Sequence, residues 1–185
     1  MVTAMNKKWK TISSRIAYKN PWFHVRQDRV MRPDGKKGIY GVVERPNANF
    51  IVALLDDNKI LLVEEYRYPV KQSVMQLPAG TTNQGETDLG AAKRELYEET
   101  GFRARTWRKI SSFFIAPGHE SIVANVFLAK DCRKKKSHNN GEPNELIAKV
   151  HSVSIPYVKR MIGENKIKCG ITLASLNLFF QIIKK

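Results

Sequence analysis

The sequence predicts a mixed α/β (α+β) fold, in which a sheet-based main domain follows a small N-terminal antiparallel β unit. Strand-like runs alternate with helical ones along the chain, and three segments suit helices, at residues 87–100, 156–164 and 171–183. With 185 residues, of which 42% are hydrophobic, the chain is long enough for one well-buried core. It is too short for two large ones.

The N-terminal β unit is expected to occupy residues 1–48, with strands at residues 9–17, 23–31 and 38–44. Between the second and third strands, Arg32-Pro33-Asp34-Gly35 combines residues that favour a tight turn. The unit has little apolar mass of its own. We therefore expect it to pack on the main domain, residues 49–185, or on a second copy of the chain.

The main domain begins with two apolar runs, residues 49–55 and 59–65, which flank the turn residues Asp56-Asp57-Asn58. They are predicted to pair as a hairpin of buried strands. Further strands are expected at residues 105–115, 121–129 and 146–153. The polar and basic segment 131–144 is expected to be a flexible loop.

The C-terminal part is predicted to be helical. Pro156 suits the first turn of a helix that runs to about Glu164. The last helix, residues 171–183, is amphipathic, and its expected core face consists of Leu173, Leu176, Phe179, Phe180 and Ile183.

Residues 80–102, GTTNQGETDLGAAKRELYEETGF, carry the most specific chemical pattern in the chain. A helix is predicted over residues 87–100, with Thr87 as the N-cap and Gly101 as the C-terminal glycine. Its expected apolar face consists of Leu89, Ala91, Ala92 and Leu96.

Three carboxylates crowd one side of this helix, because Glu95, Glu98 and Glu99 stand at i, i+3 and i+4. Like charges at this spacing destabilise an isolated helix by about 0.2–0.5 kcal/mol per pair. A divalent cation would offset that cost, and hard oxygen ligands suit Mg²⁺ or Mn²⁺ rather than zinc. Arg94 can hold a carboxylate in a bidentate grip. The alternative is a solvated acidic helix face.

The full pattern is longer than a carboxylate cluster. This pattern resembles the complete signature of the Nudix hydrolases. It consists of Gly80, five residues, Glu86, seven residues and then Arg94-Glu95-Leu96-x-Glu98-Glu99-x-Gly101-Phe102. The resemblance implies a loop–helix–loop catalytic element on an αβα sandwich with a mixed sheet. It also implies hydrolysis of a nucleoside diphosphate linked to another group.

The same resemblance assigns the metal site. Mg²⁺, with Mn²⁺ as a substitute, would be held chiefly by Glu95, Glu98 and Glu99, while Arg94 and Glu86 orient these carboxylates. The backbone carbonyl of Ala79 is a further expected ligand, because the Pro78-Ala79-Gly80 turn runs beside the helix and glycine permits close approach.

The flanking sequences narrow the resemblance to one branch of the family. The runs VVERPN, EEYRYPV and QLPAG, together with Pro117, are similar to enzymes that hydrolyse ADP-ribose and nucleoside diphosphate sugars. In that branch the N-terminal β domain is exchanged between the subunits of a homodimer, and the active site is built from both. One departure is Gln76, where relatives commonly carry a glutamate.

Four residues are expected to bind the substrate. Arg45 and Arg67 match positions that contact the diphosphate in related enzymes, and a guanidinium presents paired donors to phosphate. The alternative for either is a surface ion pair. Trp22, or the adjacent Phe23, is expected to stack on the base, with core packing as the alternative. Gly118 belongs to loop 116–120, which is expected beside the site.

The general base is expected on a loop outside the signature, as in related enzymes. Glu142 and Glu145 in segment 131–145 are the candidates, and Glu120 is the third choice. Each of them, taken alone, also fits a solvated surface position. Three histidines are further alternatives for the base, although solvent or loop roles are expected for all of them: His119, His138 and His151.

Composition bounds the compartment and the partners. Cys132 and Cys169 fit no metal or redox spacing, which favours reduced thiols in the cytoplasm. No apolar run approaches the ~20 residues of a membrane span, and the N-terminus lacks the apolar region of a signal peptide. The formal charge of +15 would steer polyanionic substrates or nucleic acid to the surface, or reflects a generally basic proteome.

Three functions are compatible with these patterns. The favoured one is Mg²⁺-dependent hydrolysis of ADP-ribose or another nucleoside diphosphate sugar to a nucleoside monophosphate and a sugar phosphate. A second is removal of pyrophosphate from RNA 5′ ends, for which the high positive charge argues. A third is a non-catalytic, basic nucleotide- or RNA-binding module, against which the intact carboxylate set argues.

Overall fold

The computed structural model describes residues 8–135 and 149–183, and the chain divides into two compact units. The first unit comprises Met1–Pro46 together with Phe114–Val123, and the second comprises Asn47–Phe113 together with Ala124–Lys185. The first unit thus includes a short segment from the second half of the chain.

The first unit is built on a three-stranded antiparallel sheet in the order β1-β2-β3. Its strands are β1 (Lys10–Lys19), β2 (His24–Met31) and β3 (Lys37–Glu44), so the three predicted strands are confirmed. The predicted turn is also present, since the Gly35 amide donates to the Arg32 carbonyl at 2.9 Å and Gly35 has φ 83°. Every residue of β1 is exposed.

The second unit contains nine strands and three α-helices among the residues that the structure describes. Its strands are β4 (Ala48–Ala53), β5 (Lys59–Arg67), β6 (Gln72–Gln76), β7 (Ala79–Thr81), β8 (Phe102–Arg103), β9 (Thr106–Phe114), β10 (Val123–Lys130), β11 (Arg133–Lys134) and β12 (Lys149–Ser154). Its helices are α1 (Asp88–Thr100), α2 (Ile155–Gly163) and α3 (Gly170–Ile183).

The strands of the second unit form two sheets and a short ribbon. The four-stranded sheet has the order β7-β4-β10-β9 and is mixed, because β10 runs parallel to β4 while β7 runs antiparallel to it. The three-stranded sheet is antiparallel and has the order β12-β5-β6. The ribbon pairs β8 with β11 in antiparallel orientation.

Strand β4 shows how the sheet is covered on both faces. Its alternate residues point to opposite sides, so Ile51 packs in one apolar cluster with Ala92 and Leu96 of α1. The neighbouring Val52 packs in a second cluster with residues of α2 and α3, including Val158 and Phe179. The helices therefore lie on both sides of the strands, as the predicted αβα sandwich requires.

The two predicted strands β4 and β5 and the turn between them are present, since the Leu55 amide donates to the Lys59 carbonyl at 2.8 Å and Leu54 bridges to Ile60. Their predicted pairing as a hairpin is wrong, because beyond this turn the strands diverge into different sheets. The physical reason is that every residue of β4 is buried. Such a strand needs neighbours on both edges and cover on both faces, and here β7 and β10 are its neighbours.

Three smaller expectations are also corrected. Leu89, assigned to the apolar face of the first helix, is 36% exposed, and Ile183, assigned to the core face of the last, is 42% exposed. Both lie in the outermost turn of their helix, beyond the covered surface. Segment 131–144, expected to be loop throughout, contains strand β11, while residues 136–148 lie outside the described part.

The helix predictions are otherwise confirmed within one residue. Pro156 lies in the first turn of α2, and α3 buries Leu176, Phe179 and Phe180. In residues 8–135 and 149–183, no helix is long and apolar enough to cross a membrane.

Candidate active site

Helix α1 carries the three clustered carboxylates, and its two ends are set by local chemistry. The hydroxyl of Thr87 accepts a hydrogen bond from the Gly90 amide at 3.0 Å, which is the geometry of an N-cap. At the other end Gly101 adopts φ 73°, and its amide donates to the Tyr97 carbonyl. Both predicted caps are confirmed, so the register of the glutamates along the helix is fixed.

Glu99 is the most buried of the carboxylates. Its Oε2 accepts a hydrogen bond from the backbone amide of Ala79 at 3.0 Å. Burial raises the pKa of Glu99 to about 8, and the nearby charges of Glu95 and Glu65 add to this effect. The Ala79 amide and the Arg67 guanidinium act in the opposite direction. Glu99 therefore favours its protonated form in the absence of a cation.

Glu95 lies against the backbone of the preceding loop. A Cβ atom built on Gly80 would stand 1.9 Å from the carboxyl carbon of Glu95, so no other residue at position 80 leaves that carboxylate in place. The side chain of Glu95 is only 15% exposed. Ala79 and Gly80 lie in strand β7 and not in the turn that the sequence predicted, but the glycine does permit the expected close approach to the helix.

Arg94 forms hydrogen bonds with three carboxylates of the signature. Its guanidinium donates to Glu86 through Nε and NH2 at 3.1 Å each, to Glu95 at 2.7 Å and to Glu98 at 2.9 Å. It also donates to the Thr81 carbonyl at 3.0 Å. These contacts raise the pKa of Arg94 above its usual range, and Arg94 in turn lowers the pKa of Glu86. One side chain thus ties the loop to the helix.

A second polar cluster stands beside Glu99 on the neighbouring sheet. The buried side chain of Gln76 donates to Glu65 at 3.0 Å and accepts from Nε of Arg67 at 3.3 Å. Arg67 closes the ring through an ion pair with Glu65 at 2.9 Å. The guanidinium of Arg67 is therefore oriented by two side chains while it remains 44% exposed.

Buried amides support the loop between β7 and α1. Asn125 donates to Asn49 at 3.1 Å, and Asn49 donates to the hydroxyl of Thr82 at 2.9 Å. That hydroxyl in turn donates to Asp88 at 2.8 Å, in the first turn of α1. The chain of hydrogen bonds connects the centre of the mixed sheet to the start of the helix, so the sheet positions the carboxylates.

The donor set suits a hard divalent cation, because carboxylate and carbonyl oxygens are the ligands of Mg²⁺ and Mn²⁺. The buried and negatively charged surroundings of Glu99 support this fit. Within the described ranges, no three His, Cys, Asp or Glu side chains converge with the spacing of a metal site. Arg94 instead engages Glu95 and Glu98, so a bound cation would compete with this guanidinium.

Family models match two consecutive segments of the chain. Residues 9–43 match the nucleoside diphosphate sugar hydrolase N-terminal domain, and residues 45–163 match the NUDIX domain. The second match alone covers more than half of the sequence. The chain belongs to the Nudix hydrolase family. Members of this family generally use divalent metal ions.

Curated Nudix relatives are similar over much of the chain. An ADP-ribose pyrophosphatase of Bacillus subtilis is 33% identical over 122 residues, which is 66% of both chains. A methanol dehydrogenase activator of Bacillus methanolicus is 30% identical over 138 residues, 75% of both chains. An ADP-ribose pyrophosphatase of Mycobacterium tuberculosis is 35% identical over 127 residues, 68% of this chain and 61% of that one. Each alignment therefore spans only part of the relative.

A solved structure has the same Nudix fold. The crystal structure of an ADP compounds hydrolase superposes with a TM-score of 0.83 at 22% sequence identity, over 96% of this chain and 95% of the other. At this level of identity the likeness concerns the fold.

The Nudix signature residues of this chain lie together, as their spacing predicts, whereas three other candidates belong to the first unit. Trp22 is 76% exposed there, Arg45 is half-buried, and the carbonyl of Gly118 accepts a hydrogen bond from Tyr40 at 2.5 Å. Glu142 and Glu145, the candidate bases, lie outside the described residues, and so does His138.

The remaining alternatives for the base have structural contacts of their own. Glu120 bridges to Val43 beside β3, and His151 contacts Glu64 at 3.1 Å across the β12–β5 pair. The backbone carbonyl of His119 accepts from the Val43 amide at 2.8 Å.

The contact between Glu65 and Gln76 was not predicted, since Glu65 was not singled out and Gln76 was noted only as a departure from relatives. Both residues lie in sequence runs that carry the family resemblance, Glu65 in EEYRYPV and Gln76 in QLPAG. Their contact depends on the pairing of β5 with β6, in which Glu65 lies opposite Val74 and Val63 lies opposite Gln76. That register is not encoded in any local spacing.

Proposed function

We propose that the chain is a Mg²⁺-dependent hydrolase that cleaves the pyrophosphate bond of ADP-ribose or another nucleoside diphosphate sugar. Water is added across the P–O–P bridge, and the products are a nucleoside monophosphate and a sugar phosphate. The observation that carries the proposal is the placement of Glu99, a buried carboxylate of the signature helix that lies near Glu95 of the same helix and Glu65 of β5.

The metal would be held by Glu95, Glu98, Glu99 and the carbonyl of Ala79. Mg²⁺ is the expected ion and Mn²⁺ the substitute, because both prefer oxygen ligands. When bound, such an ion neutralises phosphate charge and lowers the pKa of a bound water. Arg94 supports the same residues because it donates to Glu95 and Glu98 and orients their carboxylates when the ion is absent.

The diphosphate would be bound by arginine. Arg67 supports this role because Gln76 and Glu65 orient its guanidinium, which still reaches solvent. The family resemblance assigns three further residues. Arg45 would also bind the diphosphate, and Trp22 would stack on the nucleobase. Gly118 would lie in a loop that faces the substrate. Glu142 and Glu145 remain the proposed general bases.

The proposed assembly is a homodimer in which the first unit contributes to both sites. Several large apolar side chains of this unit are exposed in the single chain. Five lie on β1 or next to it in sequence, namely Trp9, Ile12, Ile16, Tyr18 and Trp22, and a sixth, Ile39, lies on β3. Contiguous exposed apolar surface marks an interaction site. A second copy of the chain is the occupant that the family resemblance favours.

The proposed compartment is the cytoplasm. Cys132 and Cys169 are both free thiols, and burial raises the pKa of Cys132 to about 12, which makes this thiol unreactive.

The test is a substrate panel with Mg²⁺, in which a phosphatase releases phosphate from the products for detection. ADP-ribose, ADP-glucose, GDP-mannose, UDP-glucose, diadenosine polyphosphates, NADH and 5′-triphosphorylated RNA are compared. A preference for diphosphate sugars is expected. Turnover of RNA alone, or of no substrate with either Mg²⁺ or Mn²⁺, contradicts the proposal.

A further inference from the structure

We infer that the β8–β11 ribbon of the second unit is a binding surface for the phosphodiester backbone of a nucleic acid. Four cationic side chains form this surface, which we call the basic ribbon: Arg103, Arg105, Arg133 and Lys135. The inference does not depend on the proposed hydrolysis, and binding and turnover are measured separately.

Strand alternation places Arg103 and Arg133 on one face, and Arg105 and Lys135 are exposed directly beside the two strands. On the inner side of the ribbon, Phe102, Ala104 and the buried Cys132 pack against the apolar cluster beneath α1. Successive strand residues point to opposite sides, so Arg103 and Arg133 point outward, and both are exposed. Residues 102–105 alternate apolar and basic side chains, whereas β11 continues from Arg133 to a second exposed cation, Lys134, opposite Phe102.

The pairing register brings the positive charges into direct opposition. Arg103 and Arg133 are cross-strand partners, and the Lys135 amide donates to the Gly101 carbonyl at 3.0 Å, one step further along the ribbon. The Arg105 amide donates to the Lys130 carbonyl at 3.1 Å at the other end. Like charges that face each other across a strand pair are destabilising, so the folded ribbon holds a charge density that an anion would relieve.

Two carboxylates close to the four cations are those of Asp131 and Asp56, whose charges both act on the buried Cys132 thiol. Residues 101–113 contain no acidic residue, and in residues 124–135 only Asp131 is acidic; its carboxylate accepts from the hydroxyl of Thr106 at 3.1 Å. Within the described part of the chain, no ion pair involves any residue of the basic ribbon. The C-terminus of α1 contributes only about half a negative charge.

One of the guanidinium groups is also held in position. Arg103 lies over the ring of Tyr97, with 4.2 Å between its guanidinium carbon and the ring centroid. This contact restrains a side chain that would otherwise lose considerable rotamer freedom on binding. A flat, oriented guanidinium presents paired donors to a phosphate and can stack on an unpaired base.

The composition of the ribbon favours a nucleic acid over a membrane surface. Binding at a lipid interface depends on apolar side chains that enter it, together with basic residues. The large hydrophobic side chains that are exposed include none from residues 90–113 or 124–135. A surface of arginine and lysine without apolar anchors matches the uniform charge of a phosphodiester backbone.

The experiment measures binding of a short fluorescein-labelled oligouridylate by fluorescence anisotropy over a series of KCl concentrations. The variant R103Q/R105Q/R133Q/K135Q is compared with the wild type. Each lost phosphate contact lowers the slope of log K against log salt by about 0.7 for a single strand. We expect a shallower slope and an affinity lower by roughly tenfold or more at moderate salt.

A matched control removes the same number of charges from exposed positions elsewhere in the second unit: Lys149, Lys159, Arg160 and Lys168, each changed to Gln. This control should keep the wild-type slope. The single variants R103Q and R133Q repeat the binding measurement with the least disturbance of the fold. Each should lower the slope of log K against log salt by about 0.7. All variants should hydrolyse ADP-ribose at the wild-type rate.

Three outcomes overturn the inference. One is equal affinity and slope for the wild type and the ribbon variant, and another is an equal loss in the matched control. The third is binding of the wild type to vesicles of anionic phospholipid without binding to the oligonucleotide. Relief of the Arg103–Arg133 repulsion should also leave the unfolding temperature of the ribbon variant at low salt unchanged or higher.

Discussion

At the scale of single residues, the site is dominated by Glu99. This carboxylate gains one backbone hydrogen bond from Ala79 and loses most of its hydration, and the loss of hydration has the larger effect on its pKa. A bound divalent cation favours the ionised form, whereas the metal-free protein favours the protonated form. Metal binding and proton uptake at Glu99 therefore oppose each other.

The stability of the metal-free protein should therefore depend on pH through the protonation of Glu99. The pKa of Glu99 is about 8 in the folded chain and its ordinary value is 4.5, so the folded state binds one more proton between these values. The contribution of Glu99 to the free energy of unfolding is therefore fully present below about pH 4.5 and is lost as the pH rises through about 8. The loss is on the order of a few kcal/mol. Thermal unfolding in EDTA across this pH range measures it.

The variant Glu99→Gln should remove this pH dependence, because the amide does not titrate. Glu164→Gln is the control, because Lys166 lowers the pKa of Glu164, which is the opposite direction to the shift of Glu99. Parallel curves for the wild type and Glu99→Gln would contradict the burial of the Glu99 carboxylate. Added Mg²⁺ should flatten the wild-type curve.

Arg94 stabilises the same region through charge. Its replacement by Ala leaves Glu86, Glu95 and Glu98 close together without their shared cation. We expect the free energy of unfolding to fall by about 2 kcal/mol, less than for a fully buried ion pair because Arg94 is 27% exposed. Urea unfolding measures it. Arg108→Ala, an exposed strand residue, should change stability by less than about 0.5 kcal/mol.

At the scale of elements, local sequence patterns predicted helix α1 but not how the strands of the second unit pair. The positions of Glu95, Glu98 and Glu99 follow from helical periodicity, and the caps at Thr87 and Gly101 follow from neighbouring residues. The separation of β4 from β5 depends on β10, which lies more than 60 residues further along the chain (from Ile60 to Val123). The contact of Gln76 with Glu65 depends on strand register. Non-local pairing therefore accounts for most of what the sequence did not reveal.

The close approach of β7 to α1 can be tested at Gly80. In Gly80→Ala the new methyl group occupies the position of the Glu95 carboxyl group, which must swing away. Because the displaced group is the end of a flexible side chain, turnover and metal affinity should fall by tenfold or more, on the order of 1.4 kcal/mol or above. Stability should change little. Initial rates over a Mg²⁺ series measure this.

Gly163→Ala is the matched control, because a Cβ atom at that glycine meets nothing within 4 Å. It should keep wild-type rates and wild-type metal dependence. A Gly80→Ala enzyme with unchanged rates would show that Glu95 is not needed where the structure places it.

At the scale of the whole molecule, the first unit is poorly buried as a single chain. Its sheet was predicted from strand-like runs, and the scarcity of apolar mass in residues 1–48 already suggested a partner. The exposed side chains of Ile12 and Ile16, at 51% and 52%, give that expectation a location. Which residues of a second copy would cover them does not follow from a single sequence.

The double variant I12D/I16D should convert a dimer into a monomer, because two charges would enter the apolar contact surface. Light scattering coupled to size-exclusion chromatography measures the mass. Ile183→Asp is the control, as Ile183 is 42% exposed in the second unit. A wild-type protein that is monomeric at all concentrations contradicts the proposed assembly, and so does a double variant that stays dimeric.

The central claim is that the carboxylates of α1 make the chain a metal-dependent diphosphate hydrolase. The most direct measurement is the release of AMP from ADP-ribose, followed by chromatography, for the wild type and Glu95→Gln with Mg²⁺ or EDTA. We expect equal amounts of AMP and ribose 5-phosphate from the wild type with Mg²⁺ only, and none above background from Glu95→Gln. Rapid AMP release in EDTA, or wild-type turnover by Glu95→Gln, would contradict the account.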